Sequence, residues 1–387
     1  MRDFCRHFEI EYNEELLCLY EQALEDHKKY GDKIFEFEHL GVFTNMLESV
    51  KEIRNELKKD ERNALYCYFL YRVIQKYKSR VLRSVCWPRK REESVYFDTL
   101  PLFTLLWAVP KMLEKHKEMG VPADVTRSTL DMFENQIGDF INLFGHFGIA
   151  KYMDWMREFI TCKILRIGRF NFEIEEAWDF AVFRRENEIC LMLRETNIHK
   201  SGRVLGSADC EDVEGSFFAD IVETDEYFEG YPVINGLCSN EKIRLCKSEW
   251  KKQVDNGDLV ISVHIPSGEP LDHDKNTADF RRAAKIFTRI YGNIPAFYCS
   301  SWMLDKDIEG IMGKKTSLTR FGDRFIRFPS KSKGKSVFKY LYKTVNTDDL
   351  DALPENTSMQ RAVKAHLKGG GYIYGAQGII LIDDTYI

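Results

Sequence analysis

Between residues 258 and 305 a strand, a loop, a helix and a second strand follow one another, and this order limits the fold more than any other stretch. Leu259, Ile261, Val263 and Ile265 alternate with Asp258, Val260, Ser262 and His264, the period of two of a pleated strand. Pro266 and Gly268 break that strand. Asp272 suits an N-cap, and Phe280, Ala283, Ala284, Phe287, Ile290 and Tyr291 recur at helical spacing as far as Gly292. Pro295 opens a second apolar run, AFYCSSW, whose aromatic content suits a strand. The order predicts a βαβ unit, two parallel strands joined by a right-handed crossover. Ligands of open α/β sheets lie beyond the carboxyl ends of parallel strands. His264 and the Ser300–Ser301–Trp302 end of the second strand therefore border the expected site, with Ser300 and Trp302 as candidate substrate contacts.

Upstream, residues 1–160 carry apolar residues at three-to-four spacing, as in Leu16, Leu17, Tyr20 and Leu24, or Ala64, Leu65, Tyr68 and Phe69. This predicts a helical domain whose aromatic stripes are core, with helices near 98–117 and 123–143 separated by Gly120 and Pro122. WPRKREE (87–93) reads as a surface loop. At 162 the pattern changes to strands, with CKILRIGRFNFEI bent or closely approached at Gly168, and FAVFRRENEICLMLR forming a hairpin. Further on, Leu245, Trp250 and Val254 fall on one face of an expected helix. Residues 317–328 read as a strand, 336–345 and 357–367 as helices, and GGGYIYGAQGIILI as a closing hairpin. The expected class is α+β: an all-α domain at 1–160 packed on a mixed sheet with flanking helices at 161–387. All strands of the second domain are expected in one sheet with helix 273–291 on one face.

The net charge of −5 gives no general attraction to nucleic acid or to an anionic membrane. The apolar run 100–113 is too short to span a bilayer and holds two prolines. Ten scattered cysteines form no CxxC pair and no zinc spacing, so reduced thiols in a cytoplasm, and no metal, are expected. His264 is either a general base at a strand end or a satisfied buried histidine. Cys299 is a core thiol or, with a depressed pKa, a nucleophile. Ser300 and Ser301 are placed to donate hydrogen bonds to a carbonyl or a leaving thiolate, or serve turn chemistry alone. MGKKTS (312–317) lacks the spacing and the preceding strand of a P-loop. Its lysines, with Lys331, Lys333, Lys335 and Lys339, make a basic zone that is either plain surface or phosphate-binding.

Several segments together resemble a family of two-domain acyltransferase-like proteins with a helical N-terminal domain and a GNAT-type C-terminal domain. They are GVPADVTRSTL (120–130), FGIAKYMDWMREFITCKILRIGRFNFEI (147–174), EWKKQVDNGDLVISVHIPSGEPL (249–271), FYCSSWMLD (297–305) and SLTRFGDRF (317–325). The resemblance implies a mixed sheet with a splayed strand pair, and transfer of an acetyl or other acyl group from acyl-CoA to a small-molecule amine by direct attack. It implies a coenzyme A cradle at Ser267–Asn276, drawn from Ser267, Gly268 and Asn276. With the usual hand of the crossover, His264 and Ser301 are expected at neighbouring strand ends facing one cleft, His264 to accept the acceptor's proton and Ser301 to donate to the thioester carbonyl or the departing sulfur. Two departures stand out. The alternating glycines of the family's phosphate loop are replaced by PSGEPLDHDKN, with the acids Glu269, Asp272 and Asp274, and DKDIEGIM holds no tyrosine to act as acid. The alternatives are a non-catalytic binding protein of the same fold, or a hydrolase using Cys299 in the same crevice. Oligomeric state is not legible in the sequence.

Overall fold

The computed structural model describes residues 1–12, 14–77, 95–266, 268, 270–344 and 346–383. It divides into two compact units, Met1–Arg166 and Ile167–Ile387. The expected loop at 87–93 and Ser267 lie outside the described residues.

The first unit is helical. Its longer elements are Leu17–Tyr30, Leu47–Leu57, Glu61–Lys76, Val95–Glu118 and Met132–Phe144. Glu61–Lys76 starts where the Asp60 carboxylate accepts the Arg62 amide, and it buries almost every residue from Ala64 to Ile74. The aromatic stripes are core: Phe8 stacks on Tyr66 at 4.3 Å, and Phe35 meets Phe103 edge-on at 5.0 Å. Asp26, buried, holds Arg72 through two bonds of 2.6 Å. The expected helix 123–143 is two helices, Ala123–Leu130 and Met132–Phe144, meeting at Asp131. Beside the junction the Thr129 hydroxyl donates to the Val125 carbonyl at 2.7 Å and accepts the Arg166 amide at 3.1 Å.

His116 is 1% exposed in the Val95–Glu118 helix, with Nδ1 3.0 Å from the Thr126 hydroxyl. Burial, helped by Lys115, pushes its pKa down to about 4. The unfolded chain therefore binds a proton that the folded chain refuses between about pH 6.5 and 4. Stability is intact above that window and falls by up to about 3 kcal/mol through it. Denaturant midpoints at pH 7 and pH 4.5 should differ more for the wild type than for His116→Gln; equal differences would contradict this account.

A six-stranded sheet runs in the order Ile164–Ile167, Phe170–Glu176, Leu259–His264, Ala296–Ser301, Ala376–Leu381, Ile326–Pro329, all but the start of its first strand in the second unit. Leu259–His264 and Ala296–Ser301 are parallel, and their flanking partners are antiparallel. The crossover helix His273–Tyr291 covers one face, where Phe280 meets Phe170, Phe172 and Phe297 at 5.4, 5.6 and 4.8 Å. The other face carries Val260, Ala296, Phe328 and Ile379 against Phe180, Val182, Leu191 and Leu193 of the expected hairpin.

Four expectations are corrected. The strands of this unit do not form one sheet: besides the six-stranded one there are four small sheets of two or three strands among the described residues. The expected helix near 245–254 is the two strands Ile243–Cys246 and Lys251–Val254, with a turn between them in which the Trp250 amide bonds the Cys246 carbonyl. Leu245 and Trp250 pack with Phe183 and Phe228, and Val254 joins the main core, so a helical spacing arose from two short strands. The expected strand 317–328 begins as a helix, Ser317–Gly322, because Thr316 and Thr319 form a capping box, and only Ile326–Pro329 is strand. The closing segment is not a hairpin; Ala376–Leu381 inserts between Ala296–Ser301 and Ile326–Pro329.

Gly168 fulfils the expected close approach. Its φ is +56°, and a Cβ there would lie 1.9 Å from the Asp279 carboxylate, whose Oδ2 accepts the Arg169 amide at 2.8 Å. Gly168→Ala combines left-handed strain with loss of that charged hydrogen bond, about 2–4 kcal/mol together. Thermal melting should fall by several degrees; an unchanged midpoint would refute the close-packing argument.

Candidate active site

The site follows from where one ladder stops. The two parallel strands pair at Ile261↔Phe297 and Ser262↔Tyr298 and no further among the described residues. Each nevertheless continues along its outer neighbour. Val263 and His264 pair with Phe172 and Asn171, and Cys299, Ser300 and Ser301 pair with Gly378, Gln377 and Ala376. Past Ser262 and Tyr298 the inner edges of both strands thus present backbone groups to a gap at the carboxyl end of the pair.

Strand alternation sorts the side chains around that gap. The helix-covered face takes Phe172, Ile174, Ile261, Val263, Phe297 and Cys299. The opposite face takes Asn171, Glu173, Glu175, Ser262, His264, Tyr298 and Ser300. On it His264 Nε2 lies 2.9 Å from Glu173 Oε2, a diagonal cross-strand pair. Glu173 is 8% exposed, while the His264 side chain keeps 32% of its surface. A buried carboxylate needs a proton donor, and the Nε2 edge of the imidazole is the one that faces Glu173. Tyr298 stacks on Phe180, with rings 7° from parallel. Burial first, then the Glu175 charge, pushes its hydroxyl pKa up, and hydrogen bonding to Ser300 draws it partly back.

The structure brings His264 and Ser300 to one face but not His264 and Ser301. Ser301 lies at the opposite parity, and its hydroxyl accepts the Met303 amide at 3.2 Å as the cap of the turn Trp302–Leu304. Trp302 is buried within that turn. Cys299 is wholly buried on the helix-covered face, and burial pushes its thiol up to about 12. It has the properties of a core thiol and does not share a face with His264. Gly268 is exposed, and Asn276 is buried, its amide bonded to the Asp272 carbonyl. The Asp272 carboxylate caps the Lys275 amide at 2.9 Å, so an acid occupies the positive end of this helix.

Glu173 and Tyr298 were missed by the sequence patterning. The signal for Glu173 lay in NFEIEE, where Asn171, Glu173 and Glu175 alternate with apolar residues as strictly as His264 does in its own strand.

The sequence profile of the GNAT-like C-terminal domain family matches residues 164–380. The chain belongs to this family. Residues 32–162 match the N-acyltransferase N-terminal domain, so both halves of the two-domain arrangement are present. Nothing among curated protein sequences matches the chain. Among solved structures, an acyltransferase in complex with decanoyl-CoA and teicoplanin is similar over 88% of this chain and 85% of that one, at 16% identity and a TM-score of 0.58. An acyltransferase variant in complex with octanoyl-CoA is similar over 99% and 87%, at 16% identity and a TM-score of 0.55. At that identity the likeness is one of fold. No described helix is long and apolar enough to cross a membrane.

Proposed function

We propose that the chain is an acyl-CoA-dependent N-acyltransferase acting on a small-molecule amine. The observation that carries this reading is the Glu173–His264 pair standing at the gap where the two parallel strands cease to pair. The structures similar in fold hold octanoyl-CoA and decanoyl-CoA, which makes medium-chain thioesters the natural probes. A thioester in the gap would present its carbonyl to the backbone of the strand ends, where amides can stabilise a developing oxyanion. The acceptor nitrogen attacks the carbonyl carbon, and the imidazole of His264 takes its proton. The new C–N bond forms as the C–S bond breaks, and the thiolate receives the proton from the imidazolium. Ser300, exposed on the same face, supplies a hydrogen bond to the departing sulfur; the sequence had offered Ser301 for this. Glu173 steadies the imidazolium. Cys299, protonated and enclosed, gives a hydrolase no nucleophile, and the free thiols suit a cytoplasmic setting.

Release of free thiol from octanoyl-CoA and decanoyl-CoA, with a panel of amines, tests the reading. His264→Ala should lower turnover by about 10²–10⁴. Glu173→Gln should lower it less. Wild-type rates in both variants would remove the base from His264.

A further inference from the structure

The second unit is charged unevenly. Residues 275–343 hold sixteen Lys and Arg and five Asp and Glu, in a chain whose net charge is −5. The crossover helix His273–Tyr291 carries the densest part. At helical spacing Lys275, Arg281, Arg282, Lys285 and Arg289 fall on one stripe, and all five are exposed. The other side of the helix is buried against the sheet through Phe280, Ala283, Ala284 and Phe287. Solvated helix faces commonly balance their cations with carboxylates three or four residues away. Between Phe280 and Tyr291, about three turns, there is no carboxylate. The side chains of Arg281 and Lys285 have no ion-pair or hydrogen-bond partner among the described residues. The same holds for Lys315 and Arg320, which are exposed before and on the neighbouring helix Ser317–Gly322. That helix is tied to the crossover helix: Phe321 meets Phe280 at 6.5 Å, and Arg324 donates to the His273 carbonyl at 2.7 Å.

The shape of this surface selects a large partner. The stripe is the convex outside of a helix and rises about 21 Å from Lys275 to Arg289. Small ligands are held in concave sites, so a convex row of cations suits a macromolecule with an acidic surface. The position of the stripe selects the partner's role. The helix starts at the end of the sheet where Leu259–His264 stops and the gap opens, and it runs back to Gly292. Arg281 stands about 12 Å along the axis from His273, and Lys285 about 18 Å. An extended phosphopantetheine arm bridges such a separation, so a thioester on a partner docked here enters the gap from that end. The helix start itself is taken by the Asp272 carboxylate, which accepts the Lys275 amide at 2.9 Å and disfavours a polyphosphate there.

We infer that the exposed stripe from Lys275 to Arg289 docks an acidic carrier protein that delivers the acyl group as a phosphopantetheine thioester. The inference rests on the acyl-transfer reading above and adds a macromolecular donor to coenzyme A. The transfer balances as before. The acceptor nitrogen forms the C–N bond, the C–S bond to the carrier's arm breaks, and the sulfur leaves with the proton that His264 took up. Attraction between the two charged surfaces acts on encounter and is screened by salt.

Octanoyl transfer to a primary amine from octanoyl-acyl carrier protein, octanoyl-CoA and octanoyl-pantetheine tests it. The wild type should use the carrier thioester, with a kcat/KM that falls more steeply with salt than that for octanoyl-pantetheine. Arg281→Glu/Lys285→Glu should lower kcat/KM for the carrier thioester at least tenfold, through KM, and leave octanoyl-pantetheine turnover and the melting temperature unchanged. Arg281→Ala/Lys285→Ala should show a smaller loss of the same kind. Equal carrier kinetics in the wild type and the charge-reversed variant, or equal losses with carrier and pantetheine, would overturn the inference. So would a wild type that binds duplex DNA and not the carrier protein. The two readings fail separately. A wild type that transfers from octanoyl-CoA and octanoyl-pantetheine but not from the carrier keeps the reaction and loses the docking surface. One that transfers from no donor, yet binds octanoyl-acyl carrier protein in calorimetry tenfold more tightly than the charge-reversed variant does, keeps the surface and loses the reaction.

Discussion

The backbone ladder between Leu259–His264 and Ala296–Ser301 covers two residue pairs, although each strand runs on along its other neighbour. Much of the second unit depends on this interruption. Backbone N–H and C=O groups inside a sheet are normally satisfied by the next strand, and leaving them without a partner is costly unless a ligand or solvent supplies one. The outer pairings hold both strands in place, so the gap is maintained by the sheet itself. Its edges are hydrogen-bonding groups fixed before any substrate arrives, the condition under which electrostatic stabilisation needs no reorganisation.

The same alternation that builds the core also delivers the chemistry. Phe172, Ile174, Ile261, Val263 and Phe297 fill one side under Phe280, and their immediate neighbours Asn171, Glu173, Ser262, His264 and Tyr298 are thereby turned to the other. A shift of one residue in Leu259–His264 would move His264 under the crossover helix and bring Val263 to the polar face. Burying Glu173 costs solvation, and the imidazole beside it offsets that cost only while it donates. The contact thus holds the imidazole in one orientation.

The crossover unit was legible because its periods are long and its punctuation clear: six alternating residues, an Asp272 cap, a helix to Gly292, and an aromatic strand after Pro295. The elements misread were short. Ile243–Cys246 and Lys251–Val254 hold four residues each, too few for a period of two to outweigh a helical coincidence among Leu245, Trp250 and Val254. His264 was singled out because a histidine at a strand end is conspicuous. Its partner Glu173 lies 91 residues away in sequence, and only the antiparallel register connects them. Ser301 was expected to share a cleft with His264 because parity across a parallel pair depends on register, which a single strand does not reveal. Burial decided Cys299 in the same way: nothing in AFYCSSW distinguishes an enclosed thiol from a reactive one.

The most direct measurement is a crystal structure with a non-hydrolysable thioether analogue of octanoyl-CoA. The account expects the thioether sulfur between the ends of the two parallel strands, on the His264 side of the sheet, with the acyl carbonyl position within hydrogen-bonding distance of the strand-end amides. A ladder that closes through His264 and Ser300, or a sulfur bound on the helix-covered face, would contradict it.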